Sequence, residues 1–426
     1  MRSKKARLET LGKRAKAGCV WVKLRDEEKR MLDGERGYGT QRAMELLVAL
    51  GTTFEADEMI PVTRAHVALS GQEGDTYWCE LLVDGGAYCK VPPTTNPAWA
   101  VEELNGVSDV TDAERELAWR TFDVYRRIGA KLTYCCTPEL AGNVPAYGEH
   151  VAFSESSATP YVNAVLGARS NRESSVSALA CAVTGVTPRY GLHFAENRKG
   201  TMLVDVEADL NEAYDWGMMG WYVGRFVGSH TPVFRLRNFQ RRPTPEELLY
   251  LGAELNTSGA VPMYHILGTT PEAPDMRAAF GGVAPAAELV VKNEHLAEQQ
   301  ELLSEKGGRI NSVMLGCPHY TYDQLIDLAG RVEGKKVHPD VSFWVLTSWD
   351  AIELARRSGH IGAIEAFGAR LVPDTCIDEP CWKTFEGGTG VTDSPKNMYY
   401  RKRRGQTFAI RRLSECIEAA VRGEVS

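Results

Sequence analysis

No apolar run in this 426-residue chain reaches the ~18 residues that a membrane-spanning helix requires, and the opening residues are basic where a secretory signal would be apolar. A cytoplasmic protein is expected. Positive charge is also in deficit: 49 Lys and Arg face 56 Asp and Glu, a formal charge of −7, which disfavours nucleic acid as the partner. A small ligand is the better expectation. The ten cysteines are too sparse for a disulfide scaffold and include no CxxC pair. The chain also lacks the GxxxxGK[ST] phosphate loop, the GxSxG nucleophile elbow and the HExxH zinc helix. These absences set aside P-loop nucleotide hydrolases, serine esterases of the usual fold and zincin proteases. Neither a tandem repeat nor a low-complexity tract is present.

What remains is an ordinary globular composition, 43% hydrophobic and 25% charged, long enough for two or three domains. Residues 1–18 carry seven Lys or Arg against Glu9 alone and read as a solvated extension. Arg401-Lys402-Arg403-Arg404 reads as a surface or anion-binding loop. Elsewhere helices alternate with strands. Thr111 and Glu114 form a capping box ahead of Leu117, Phe122, Tyr125 and Ile128 at helical spacing, with Gly129 as the stop. Lys131–Tyr134 then reads as a short strand running into Cys135-Cys136. Arg309–Leu315 reads as a strand, Gly316–His319 as a loop, and Thr321 with Gln324 as the next helix cap. Val341–Leu346 and Ala369–Val372 read as strands around helices 348–357 and 361–367, and Asp374-Thr375-Cys376 follows.

This order predicts an α/β fold with mainly parallel sheets, whose ligand sites lie beyond the carboxyl ends of strands. Cys136, Cys317 and Cys376 each fall at such an end. They are 181 and 59 residues apart, too far for a local metal motif, so a shared metal and three ordinary thiols both remain open. The densest polar stretch is Glu155-Ser156-Ser157 followed by Asn163, Arg169, Ser170, Asn171, Arg172 and Glu173. Two guanidiniums three residues apart can form a fork for a carboxylate, and the same residues also suit a structural turn. His66, His265 and His319 stand beside Gly, Pro or Thr signals, and His319 lies two residues from Cys317. Ser394-Pro395-Lys396 reads as a polar anchor or a surface turn.

Taken in order, these motifs resemble the aconitase X large subunit. The resemblance is carried by Met31–Gly34, Gly39–Met44, Ala65-His66-Val67, Thr95-Asn96-Pro97 and the polar stretch from Glu155 to Glu173. It continues through Pro188–His193, Ser258-Gly259, Thr270–Glu272, Leu315–His319, Asp374-Thr375-Cys376 and Ser394-Pro395-Lys396. It covers about residues 25 to 405. It implies an aconitase-like fold of several α/β units with mainly parallel sheets, without the small swivelling domain. The expected organisation is a basic extension 1–24, a large-subunit region 25–405 with two or three subdomains and a break near 285–308, and a C-terminal helix 406–426.

The resemblance further implies a dehydratase acting on cis-3-hydroxy-L-proline to give 1-pyrroline-2-carboxylate, or on mevalonate 5-phosphate. Cys136, Cys317 and Cys376 would hold an iron-sulfur cluster (2Fe-2S or 4Fe-4S) or a single iron. Cys136 is preferred to its neighbour Cys135 because Cys136-Thr137-Pro138 matches the family's Cys-Thr-Pro, and Cys381 lies only five residues beyond Cys376. A separate small subunit is expected to supply a serine. Expulsion of hydroxide needs a Lewis acid, and the carboxylate needs cationic donors as the Cα proton leaves. His66, Glu155, His319 and Lys396 are the expected catalytic groups. Ser156, Asn163, Arg169, Ser170, Asn171, Arg172 and Glu173 are the expected substrate-binding set. Pro395 stands where the family pattern calls for a small residue. The competing expectation of another class is a non-catalytic scaffold or nucleic-acid binder that uses the basic runs.

Overall fold

The computed structural model describes residues 22–425 apart from 69–71, 102, 105 and 305–306, so most of the basic extension, with Cys19, lies outside the described residues. Three parallel sheets organise the chain. The first has the order Thr94–Asn96, Arg64–Ala68, Val151–Phe153. A short antiparallel ribbon, Met59–Pro61 with Val186–Pro188, flanks it. The second has four strands, ordered His265–Ile266, Pro232–Leu236, Met202–Val206, Ala287–Val291. The third has five, ordered Ala369–Pro373, Ser342–Thr347, Ser312–Tyr320, Thr389–Thr392, Thr407–Ile410. The chain passes from the second sheet to the third between Val291 and Ser312.

The third sheet is buried on both faces, as parallel sheets are. Because successive side chains point to opposite faces, Met314, Trp344 and Leu346 join the core shared with the second unit, whereas Val313, Leu315, Phe343 and Val345 pack under the helices of the third. At ~25 cal/mol per Å² of apolar surface, a shared core of this kind ties the two units together far more strongly than a polar interdomain contact.

Both capping boxes read from the sequence are present. Thr111 caps the helix Asp112–Arg127 and Thr321 caps Tyr322–Val332, each accepting the N–H three residues on. Three local expectations change. Lys131–Tyr134 forms only an isolated bridge beside Thr94, because Tyr134 takes a left-handed φ of 43° and breaks the ladder. The strand at 312 runs on through Gly316-Cys317-Pro318-His319 to Tyr320, with an irregularity in its pairing between Leu315 and Tyr320. Cys317 therefore sits inside a bulged strand and not in a following loop. Residues 406–426 are not a helix alone: the strand Thr407–Ile410 closes the sheet edge before the helix Leu413–Arg422.

Candidate active site

Each of the three separated cysteines is aimed by a left-handed kink just upstream. Tyr134 has φ 43° two residues before Cys136, Gly316 has φ 92° one residue before Cys317, and Asp374 has φ 58° two residues before Cys376. At Gly316 a Cβ would lie 2.0 Å from the Leu346 carbonyl oxygen, so the strand can approach its neighbour only with glycine there. At Asp374 the carboxylate accepts the Trp349 indole N–H at 2.9 Å, which holds the turn. All three cysteines line one cavity of about 880 Å³. Cys135 points elsewhere, its sulfur 2.9 Å from the Thr137 hydroxyl, and Cys381 is packed in the core beside Trp382.

Cys317 is buried, and Cys136 and Cys376 are half-buried at the cavity wall. Burial, reinforced by Glu155, pushes the Cys136 thiol up to about 12, and burial likewise raises Cys317 and Cys376. Backbone donors nevertheless already face sulfur: the His319 N–H is 3.2 Å from Cys136 Sγ and the Asp378 N–H 3.5 Å from Cys376 Sγ. Such N–H donors stabilise thiolates bound to a metal. Among the described residues no three His, Cys, Asp or Glu side chains converge tightly enough for one metal ion. Three thiols on one cavity wall, two of them met by backbone N–H groups, have the soft-donor chemistry of an iron or iron-sulfur site.

Beside the cysteines lies a buried ion pair, Lys396 Nζ to Glu155 Oε1 at 3.3 Å. Glu155 precedes the helix Ala158–Ala164; it accepts from the Ser156 hydroxyl, the Ser157 N–H and hydroxyl, and the Ala158 N–H. Burial opposes its charge, but the Lys396 ammonium and these donors prevail and hold the carboxyl down at about 2. Lys396 in turn is kept protonated: burial disfavours its charge, and Glu155 together with Cys317, Cys136 and Tyr400 more than offsets this. His319 Nε2 lies 3.0 Å from the Thr375 carbonyl oxygen, which can only accept, so Nε2 carries the proton and Nδ1 is bare. Burial lowers His319 to about 4.

The polar stretch divides. Arg172, Glu173 and Ser156 line the cavity. Asn163, Arg169, Ser170 and Asn171 do not. Asn163 donates to the Ser170 and Pro262 carbonyls, the Ser170 hydroxyl donates to the Asn171 carbonyl, and Asn171 spans Tyr190 and Leu192. Arg169 donates to the His193 carbonyl at 3.3 Å. His66 also stays behind the wall, buried against Thr94 Oγ1 at 2.9 Å and held near 4 by burial. His265 is buried on the Arg198 carbonyl, away from the cavity.

Several lining residues carry no sequence signal. Glu379 is 6% exposed and makes no ion pair among the described residues, and burial raises its carboxyl to about 8. The basic run at 401 is not a surface loop throughout: Arg401 is buried on Gln406 and the Trp382 carbonyl, and Arg404 reaches the cavity wall through Asp378.

Three family models match in succession along most of the chain: the aconitase X first domain matches residues 21–196, the second domain 200–301 and the third 310–422. The phosphomevalonate dehydratase large subunit of Thermococcus kodakarensis is 34% identical, over 91% of this chain and 96% of its own. The cis-3-hydroxy-L-proline dehydratase of Pseudomonas aeruginosa is also 34% identical, over 93% of this chain and 69% of its own. The crystal structure of Thermococcus kodakaraensis aconitase X in its holo form superposes with a TM-score of 0.84 at 32% identity, covering 93% of this chain and all of that one. With relatives on both sides named dehydratases and the fold shared throughout, the chain belongs to the aconitase X family of hydro-lyases.

Proposed function

We propose that the chain is the large subunit of an iron-sulfur hydro-lyase that dehydrates cis-3-hydroxy-L-proline to 1-pyrroline-2-carboxylate. The observation that carries the choice of substrate is the charge left over in the cavity. Its wall holds six acids and three bases. Glu155 is paired with Lys396, Asp378 with Arg404, Glu114 with Lys383 and Glu73 with Arg120. Arg172, Glu173 and Glu379 remain without an ion pair among the described residues. One free guanidinium and two carboxyls suit a zwitterion: the substrate carboxylate on Arg172 and its secondary ammonium on Glu173 or Glu379. A phosphate with a further carboxylate would meet one free cation only.

Cys136, Cys317 and Cys376 are the residues that would hold the cluster. Bound there, it supplies Lewis acidity toward the hydroxyl that leaves. Glu155, ionised and saturated with donors, acts by holding Lys396 and not as the base. Lys396 Nζ stays cationic and donates to oxygen as negative charge develops. The bare Nδ1 of His319 can receive a proton. A separate small subunit, as the relatives' name "large subunit" implies, would complete the cavity and supply the serine that takes the Cα proton. No redox change is needed: Cα loses a proton and C3 loses hydroxide, giving the Cα=C3 enamine, which becomes 1-pyrroline-2-carboxylate when a proton moves from nitrogen to C3.

A second reading is favoured by one fact: the chain matches nearly the full length of the Thermococcus phosphomevalonate enzyme. Assay of the two-subunit complex with both substrates decides. The expected result is a kcat/KM at least 100-fold higher for cis-3-hydroxy-L-proline, and the reverse order overturns the substrate assignment.

A further inference from the structure

The helix Pro245–Gly259 belongs to the second domain, yet two of its polar side chains end against groups of the first and third domains that frame the site. Glu254 is fully buried. Its Oε1 accepts the Ser394 hydroxyl at 2.8 Å and the Lys396 backbone N–H at 3.0 Å. The same Ser394 oxygen lies 2.5 Å from the Cys317 carbonyl oxygen and accepts the Asn397 N–H at 3.2 Å, capping the helix that carries Lys396. Two residues on, Asn256 Nδ2 donates to the Ser156 carbonyl at 2.7 Å, next to Glu155. One helix thus grips both backbone segments that bring Lys396 and Glu155 to 3.3 Å.

The helix has little freedom to move. A Cβ on Gly220 of the helix Ala213–Phe226 would lie 2.7 Å from the Leu251 carbonyl oxygen and 3.2 Å from Glu254 Cβ. A Cβ on Gly224 would lie 2.0 Å from Ser258 Oγ. The two helices therefore press together and leave Glu254 facing the third domain. No cation bonds its carboxyl among the described residues, and its Oε2 has no hydrogen-bond partner. A lone acceptor in that position fixes geometry.

We propose that Glu254 is a positioning residue that acts as a hydrogen-bond acceptor and not as a charge, holding the Lys396 segment against Glu155 and the Cys317 strand in register. This inference rests on the reading of Lys396, Glu155 and Cys317 as the reaction centre. Two variants separate acceptor from charge: Glu254→Gln keeps an oxygen at the same reach without the charge, and Glu254→Asp keeps the charge but withdraws it by one methylene.

In the two-subunit complex, Glu254→Gln is expected to keep at least a third of kcat. Glu254→Asp is expected to lose at least 30-fold in kcat with KM within threefold. Crystals of the full-length variants give a readout independent of turnover: the Lys396 Nζ to Glu155 contact persists in Glu254→Gln and opens beyond hydrogen-bonding distance in Glu254→Asp. Equal behaviour of the two variants, or the opposite order, overturns the proposal. If the wild-type complex dehydrates neither substrate, the functional reading fails while the crystallographic comparison still decides the role of Glu254.

Discussion

Arg169 and Arg172 are three residues apart, and as a pair they suggested a fork. In the structure they diverge: the segment lies between the helices Ala158–Ala164 and Ser175–Thr184, so no helical turn brings positions three apart onto one face. Arg169 is tied to the His193 carbonyl, and Arg172 faces the cavity. Arg172→Ala is accordingly expected to raise KM for the hydroxyproline substrate about 10- to 100-fold, the loss of one charge-assisted contact of about 1.5–3 kcal/mol. Arg169→Ala should leave KM within twofold. Steady-state kinetics of the two variants distinguish them, and equal effects would sink the assignment. The same limit explains Glu379 and Glu254: a single acid without a local partner has no signature in a sequence. The cysteines were legible only as strand-end candidates, since what brings residues 136, 317 and 376 together is the packing of separate domains.

Among elements, helices were read more faithfully than strands. The boxes at Thr111 and Thr321 are local, so four residues suffice to announce them. A strand needs a partner, and Lys131–Tyr134 finds one only at a single bridge. Gly316-Cys317-Pro318 has the composition of a turn and in sequence ends the strand at Leu315, yet the strand Ser312–Tyr320 continues through it as a bulge between its neighbours. That bulge has a measurable requirement. Gly316→Ala adds a Cβ 2.0 Å from a backbone oxygen at φ 92°. We expect a loss of at least about 3 kcal/mol of stability, from overpacking together with a strained φ. Urea denaturation checks this, and a loss below about 1 kcal/mol would show that the two strands can part without cost.

At the scale of the molecule, the fold buries neutral histidines that water would protonate. Burial lowers His193 to about 3, and His66 and His319 to about 4. The unfolded chain returns each to about 6.5, so below that pH the unfolded state binds more protons and stability falls with pH. His193 also lies 2.9 Å from His150, nitrogen to nitrogen, a hydrogen bond that requires one ring nitrogen to stay bare. Between pH 6.5 and 5 each such histidine should cost about 2 kcal/mol. Denaturation of His193→Asn across that range is expected to show an average slope shallower by about 1 kcal/mol per pH unit, and an unchanged slope would contradict it.

The whole arrangement converges on three cysteines from the first and third domains around one cavity. Anaerobic reconstitution of the full chain with iron and sulfide, followed by iron counting and visible absorbance, tests that claim most directly. Wild type, Cys135→Ser and Cys381→Ser are expected to take up the cluster. Cys136→Ser, Cys317→Ser and Cys376→Ser are each expected to lose it, and a Cys317→Ser chain with full iron and unchanged absorbance would contradict the account.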